Sequence, residues 1–400
     1  MNAAVPETRG TKAITPPGVS DVAMRVAFGM TALAHGTAGG GVDGIGAYAR
    51  ELGSRLAAME AVDLLPFVYG PPAGLPDGAS AQDAGSFHRQ ALRALLTGAS
   101  FPGLRAMAGE GVELVHATDH LVPRVRGIPV VATVMDAIPL SHPEWVSYPL
   151  KRVANALWRR SVRWADHVIT ISEFSRLEIE RWFGIPGDHI SVIPLGVDHR
   201  WFEPPAAEEV ARVRNRYMLP ERYFLFVGTL QPRKNVARLI DAHRQLPDSL
   251  RRDAPLIVVG RVGWGCEDVI ARLEAEEDAG LRWLRYVPES DLKSVMSGAA
   301  ALVFPSLHEG FGLPVLEAFA AGVPVVASGT TALPEVAEGA AFMVDPADAG
   351  EITDAMRQIL EVPGLADGLR TSGLSRAREF TWERTASMTL DVYRDVLGRH

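Results

Sequence analysis

Four hundred residues, 47% of them hydrophobic and 22% charged, describe a folded chain too long for a single core, so two domains are expected. A formal net charge of -8 argues against nucleic acid as a partner, and a single cysteine, Cys266, excludes an intrachain disulfide and fits a reducing cytoplasm. No apolar run reaches the roughly 20 residues that cross a bilayer.

Residues 1–21 carry Pro, Thr, Gly and scattered charge, and read as a flexible lead without the apolar core of a secretion signal. Over 22–200 the pattern predicts one Rossmann-like domain. Met24 to Ala34 reads as its first strand, Gly36 to Gly46 as a glycine-dense loop and Tyr48 to Met59 as an amphipathic helix. The glycines lack the dinucleotide spacing, so NAD is not expected. Val62 to Val68 is a second strand, Gly70 to Gly85 a surface loop, and Phe87 to Leu96 and Leu104 to Met107 are helical. Val112 to His116 and Pro129 to Val134 are strands followed by Asp119, His120 and Asp136. Ligands of doubly wound sheets sit beyond the carboxyl ends of the strands, which makes these three residues candidates, each with a loop cap as its structural alternative. His116 reads as a hydrogen-bonded core histidine. Lys151, Arg152, Arg159, Arg160 and Arg163, with Trp158 and Trp164, read as an Arg-rich helix with its tryptophans in the core; weak contact with an anionic membrane surface is the alternative. Ala165 to Ser172 is a further strand, Ser172 and Ser175 stand ahead of a helix over Arg176 to Phe183, and Ile190 to Pro194 closes the sheet.

Residues 201–219 read as a linker, 220–380 as a second Rossmann-like domain and 381–400 as a terminal helix. Strands are expected at Tyr223 to Val227, Leu256 to Val259, Leu281 to Val287, Ala301 to Phe304, Val323 to Ala327 and Ala340 to Val344, each apolar enough for a sheet covered on both faces. After the first of them, Gly228-Thr229-Leu230-Gln231-Pro232-Arg233-Lys234-Asn235 delivers two adjacent cations just before a helix over Val236 to Gln245. Guanidinium grips phosphate oxygens bidentately and ammonium adds a point charge, so Arg233 and Lys234 suit a departing diphosphate. After Phe304, Pro305 to Glu317 joins a strand to a helix. Gly310 and Gly312 let the backbone turn its N–H groups outward and Pro314 suits a helix start, where anions are attracted. Glu309 and Glu317 bracket that loop with carboxylates suited to polyols. No Asp-x-Asp triplet and no metal-ligand spacing occurs, so no metal is expected.

The bracketed loop resembles the Glu-x7-Glu signature of the family-four retaining glycosyltransferases. Phe226 to Asn235 resembles that family's phosphate-binding strand and turn, and Gly322-Val323-Pro324-Val325-Val326-Ala327-Ser328 continues its pattern. Asp43-Gly44-Ile45-Gly46-Ala47-Tyr48 is similar to its Gly-Gly-Ile-Gly-x-Tyr loop, with Asp43 in place of the first glycine, and Phe380 to Gly398 resembles its terminal helix, which crosses back onto the first domain. The resemblance implies an α/β chain of GT-B fold, two Rossmann-like doubly wound domains facing a central cleft. It implies that Glu317 binds the nucleotide ribose, Glu309 the donor sugar's hydroxyls, the N–H groups from Gly310, Phe311, Gly312 and Leu313 the phosphate or sugar, and backbone near Val287 the base. Gly44 and Gly228 would lie by the diphosphate. Relatives carry His-Asp where this chain has Met135-Asp136; a thioether neither donates a hydrogen bond nor exchanges a proton, so His120 or Asp136 takes over or the position is not essential.

The reading is a retaining transfer of a hexose, mannose first, from a GDP- or UDP-linked donor to an acceptor hydroxyl, without a cofactor or metal. Arg233, Lys234, Glu309 and Asp136 carry catalysis, the other named residues of the second domain and Gly44 hold the donor, and Asp119 and His120 face the acceptor. Sugar-nucleotide epimerisation or phosphorolysis on the same fold, and nucleotide-sugar binding without catalysis, are the competing readings.

Overall fold

The computed structural model describes residues 23–38, 42, 44–71, 75, 80–275 and 280–400. The lead over 1–21, Asp43 and much of the 70–85 loop lie outside the described residues.

Two parallel sheets form the core of the chain. The first contains β1 (Met24–Gly29), β2 (Val62–Val68), β3 (Gln82–Asp83), β4 (Leu114–Ala117), β5 (Val130–Thr133), β6 (His167–Thr170) and β7 (Ile190–Val192), in the order β3-β2-β1-β4-β5-β6-β7. The second contains β8 (Phe224–Val227), β9 (Leu256–Val259), β10 (Leu281–Leu284), β11 (Ala301–Phe304), β12 (Val325–Ser328) and β13 (Phe342–Val344), in the order β10-β9-β8-β11-β12-β13. Leu-Ile-Val-Val in β9 and Ala-Leu-Val-Phe in β11 are buried along their whole length, as strands covered by helices on both faces must be. In each sheet the strand order reverses once, between β1 and β4 and between β8 and β11, and the crevice at such a reversal is where doubly wound sheets hold ligands.

The first strand is shorter than its composition suggests. It ends at Gly29, and Thr31–Ala38 is helical. Only Thr31 and Thr37 in that stretch are β-branched, while Ala and Leu favour a helix, and the Thr31 hydroxyl accepts the Tyr69 N–H (3.1 Å) to fix its first turn against β2.

The terminal helix Trp382–Leu397 packs on the helix Gly44–Ala57 of the first domain. The chain passes between domains twice, side by side: the Val197 N–H donates to the Phe380 carbonyl (3.0 Å), and a Cβ on Gly196 would lie 2.3 Å from the Trp382 nitrogen. His116 joins the terminal helix to the sheet. Its Nδ1 bonds Tyr393 Oη (2.6 Å) and its Nε2 bonds Thr133 Oγ1 (2.8 Å), which also bonds Tyr48 Oη (2.8 Å). Burial pushes the imidazole down to about 3, so it stays neutral, the core histidine expected from sequence. Tyr393→Phe leaves a buried ring nitrogen without its partner. Urea unfolding should show a loss of about 1–3 kcal/mol, and an unchanged midpoint would remove this chain of bonds from the account of the domain's stability.

Candidate active site

The strand β8 ends at Val227, and the turn that follows returns to the sheet at Leu230, which bridges to Val262. Gly260 is required there, because a Cβ would lie 1.9 Å from the Gly228 carbonyl oxygen. Pro232–Lys234 then forms one 3-10 turn, and Asn235 takes a left-handed conformation (φ 59°) at the start of the helix Val236–Gln245. Its amide donates to the carbonyls of Pro305 (2.9 Å) and Pro346 (2.7 Å), tying this turn to the loop after β11. The Leu307 N–H completes the tie by donating to the Arg233 carbonyl (2.7 Å).

Those ties place both cations on one carboxylate. Lys234 Nζ lies 2.6 Å from Glu309 Oε1 and Arg233 Nη1 2.9 Å from Glu309 Oε2, with the same guanidinium donating to the His308 carbonyl (3.1 Å). Burial works to raise the Glu309 carboxyl, but the Lys234 and Arg233 charges hold it down at about 2. Desolvation lowers Lys234 to about 8 against the pull of Glu309, and its ammonium sits 4.8 Å over the Phe304 ring. Two cations and one anion leave one unit of positive charge at the end of β11.

The first domain meets this cluster through Asp136, just past β5. Burial raises its carboxyl, with Arg233 opposing, and its Oδ1 accepts the Ile138 N–H (3.0 Å). Contact between the domains is close here. A Cβ on Gly310 would lie 2.9 Å from the Met135 carbonyl oxygen and 3.3 Å from the Asp136 Cβ, and the Gly310 carbonyl accepts the Ser175 hydroxyl (3.3 Å). Gly310→Val therefore overfills the contact. A drop in melting temperature corresponding to roughly 1–3 kcal/mol is expected, and a variant that melts with wild type would show that the domains do not meet in this register.

Of the residues expected on the donor side, Phe311, Gly312 and Leu313 lie in that loop, Gly228 lies beside the Lys234 turn, and Val287 and Gly44 stand on other elements. Gly312 (φ 115°) stands immediately before the helix Leu313–Ala320, where a Cβ would meet Leu333 at 2.5 Å, so Leu313 is the first helical residue and Pro314 the second. Phe311 is buried with its ring against Phe380 (centroids 5.9 Å apart), which seats the loop on the interdomain crossing and leaves only its backbone for a ligand. Gly228 donates its N–H to Val259 and lies beside the Lys234 stem. Val287 is buried between β10 and the helix Glu289–Ser297, and Gly44 opens the helix Gly44–Ala57.

Glu317 is half-buried, and desolvation, helped by Glu289, pushes its carboxyl up from 4.5 to about 7. A raised carboxyl binds its proton more tightly in the folded state, so stability is fullest below 4.5 and falls as pH rises toward 7. Glu317→Gln removes the ionising group. Above pH 7 it should resist urea better than wild type by on the order of 1 kcal/mol, converging with it near pH 4; parallel curves at every pH would show that the carboxylate is not strained.

Asp119 and His120 do not join the cluster. Asp119 is buried and accepts the Leu121 N–H (2.9 Å), closing a turn, while His120 is exposed and contacts the Trp158 edge (6.4 Å). Short polar side chains after a strand satisfy local N–H groups first, and Asp119 follows that rule.

A residue without a signal of its own in the sequence stands beside the cluster. His308 is buried with its ring against Phe174 (5.2 Å) and His142 (5.4 Å) of the first domain, and its Nε2 lies 3.2 Å from Glu178 Oε2. It precedes Glu309, and only that adjacency marks it in the sequence. A cavity of about 260 Å³ lies apart from the cluster, lined by Leu195, Glu335, Phe380 and Thr385 at the crossings and reaching the loop after β11 only at Phe311. The chemistry of the cluster, convergent fixed charge beside oriented amides, sits in the buried seam and not in that cavity. Among the described residues no three His, Cys, Asp or Glu side chains group as metal ligands.

Comparison with known proteins agrees with this geometry. The family description "Glycosyltransferase Family 4" matches residues 42–201 and "Glycosyl transferases group 1" matches 209–375. The O-antigen chain mannosyltransferase B of Escherichia coli is 32% identical over 267 residues, 66% of this chain and 70% of its own length. Among solved structures, the sucrose-phosphate synthase of Thermosynechococcus elongatus superposes with a TM-score of 0.71 at 22% identity, covering 94% of this chain and all of that one. Alr3699/HepE of Anabaena, solved in complex with UDP-glucose, gives 0.66 at 17% identity, covering 93% and 100%. Two doubly wound sheets joined by paired crossings, a Glu-x7-Glu loop at their seam and these matches together place the chain in the family-four glycosyltransferases, hexosyltransferases of the GT-B fold.

Proposed function

We propose that the enzyme transfers mannose from GDP-mannose to a hydroxyl of a glycan, glycolipid or small acceptor in the cytoplasm, with retention at the anomeric carbon and without a metal. The convergence of Arg233 and Lys234 on Glu309 at the mouth of β11 carries the reading. Fixed positive charge in a site shielded from water is what a departing diphosphate needs, and the pair supplies it where other transferases use a divalent cation. The donor would enter beside Gly228 and the loop Gly310 to Leu313, setting its ribose on Glu317 and its base near Val287. The sugar's hydroxyls would then compete with Lys234 and Arg233 for Glu309. Asp136 faces the same point from the first domain, which would receive the acceptor. Retention fits a front-face route in which the leaving phosphate takes the acceptor's proton, since positioning and charge suffice for it.

Mannose is favoured by the likeness to O-antigen chain mannosyltransferase B, and the likeness to HepE, solved with UDP-glucose, favours a UDP-sugar as the second reading. A thermal-shift series with GDP, UDP and ADP separates them, because the nucleotide that binds the native state raises its melting temperature. Transfer from labelled GDP-mannose in the presence of EDTA then tests the rest. No shift with GDP, or transfer only on adding magnesium, would overturn the donor and the metal-free mechanism respectively.

A further inference from the structure

We propose that the outer helical side of the first sheet docks on an anionic bilayer. Helices Phe87–Thr97 and Pro102–Ala108, the segment 121–127 and the helix Lys151–Val162 with Arg163 carry ten Lys and Arg, three, two and five respectively, and no Asp or Glu. The chain as a whole is at -8, which leaves -18 for the rest, so the charge is strongly divided. None of the nine arginines in these segments makes an ion pair or a side-chain hydrogen bond among the described residues, and Lys151 donates only to the Pro143 carbonyl (2.9 Å).

These segments form one surface. β3 to β4 and β5 to β6 cross in the same direction along the sheet, so right-handed crossovers place their helices on the same side of it. The Phe101 N–H bonds the Arg124 carbonyl (2.8 Å), Arg126 reaches Gly98 at the end of the first helix, and the Phe101 ring meets Trp164 (6.1 Å) beyond the last. Trp158, against Phe183 (4.8 Å), and Trp164 thus lie beneath the surface, and the cations stand outside it.

Aliphatic side chains stand among the cations. Leu92 and Leu96 project one turn apart at 58% and 77% exposure, with Leu150 at 78% and Val153 at 65% opening the last helix. Phosphates of a soluble polyanion would satisfy the arginines but offer nothing to these four. A headgroup layer takes both, because its phosphates meet the cations and its acyl boundary the leucines. The inference deepens the proposed function, resting on its assignment of the acceptor to the first domain: a bilayer at this face would present a lipid-borne hydroxyl to the cleft.

The test is co-sedimentation of the full chain with vesicles of phosphatidylcholine alone or mixed with phosphatidylglycerol. Binding is expected only to the mixed vesicles and should weaken as salt is added. Arg159→Ser, Arg160→Ser and Arg163→Ser together should lower partitioning on the order of a hundredfold, since each cation near such a surface contributes roughly fivefold. Leu92→Ser with Leu96→Ser should lower vesicle binding by at least about tenfold and leave heparin binding unchanged. Thermal shifts with GDP should be the same in all these variants and in wild type, which verifies folding and separates failure at this face from failure of the donor assignment. Equal binding to neutral vesicles, no binding to mixed ones, or leucine variants that bind mixed vesicles like wild type would overturn the proposal, the last in favour of a soluble polyanion.

Discussion

Lys234→Ala is expected to lower turnover by about 10² to 10³ while the protein stays folded. The ammonium is a fixed donor in a site shielded from solvent, and removing one such donor from developing negative charge costs about that much elsewhere. The fold should survive because Glu309 keeps Arg233 at 2.9 Å, so no buried carboxylate is orphaned. Lys234→Arg should restore little, since a planar fork is wider than an ammonium and the site is lined by the Phe304 ring 4.8 Å away. Steady-state rates at saturating donor decide the matter. A variant within threefold or so of wild type would mean that the leaving group lies elsewhere.

Glu309→Ala has the larger effect on stability. It leaves Arg233 and Lys234 adjacent and buried without the carboxylate that both contact, and breaking a buried pair from one side costs about 3–5 kcal/mol. Acid should reveal the same interaction in wild type. The Glu309 carboxyl is depressed from 4.5 to about 2, so its contribution is fully present above 4.5 and is lost as pH falls through that window. A diphosphate can stand in for the missing carboxylate. GDP should therefore raise the melting temperature of Glu309→Ala by more than it raises that of wild type, even though transfer is abolished. Equal shifts in the two proteins would separate the cations from the nucleotide site.

The alternation of buried strands and helices made both sheets legible, because a strand covered on two faces must be apolar throughout, and β9 and β11 are. The loop after β11 was legible for a local reason as well: Gly310 and Gly312 free the backbone to turn and Pro314 fixes it for a helix start wherever they occur. What the chain order hides is who meets whom across the seam. Lys234 and Glu309 stand 75 residues apart, and nothing in either segment announces that one carboxylate takes both cations. His308 is legible only as Glu309's neighbour, since Glu178, 3.2 Å from its Nε2, lies on a helix of the first domain. Asp119 shows a second limit, since an aspartate after a strand looks the same in sequence whether it faces a ligand or closes its own turn, and here it closes one.

The bond from His116 to the last helix bears on how the protein is made. Tyr393 is 277 residues beyond His116, so on the ribosome the first lobe lacks its closing element until the whole second sheet has been made. The second lobe, whose strands run from Phe224 to Val344, has all of its sheet available earlier. Chains released prematurely should therefore contain one finished lobe and one exposed apolar sheet face, the kind of species that chaperones retain and proteases clear.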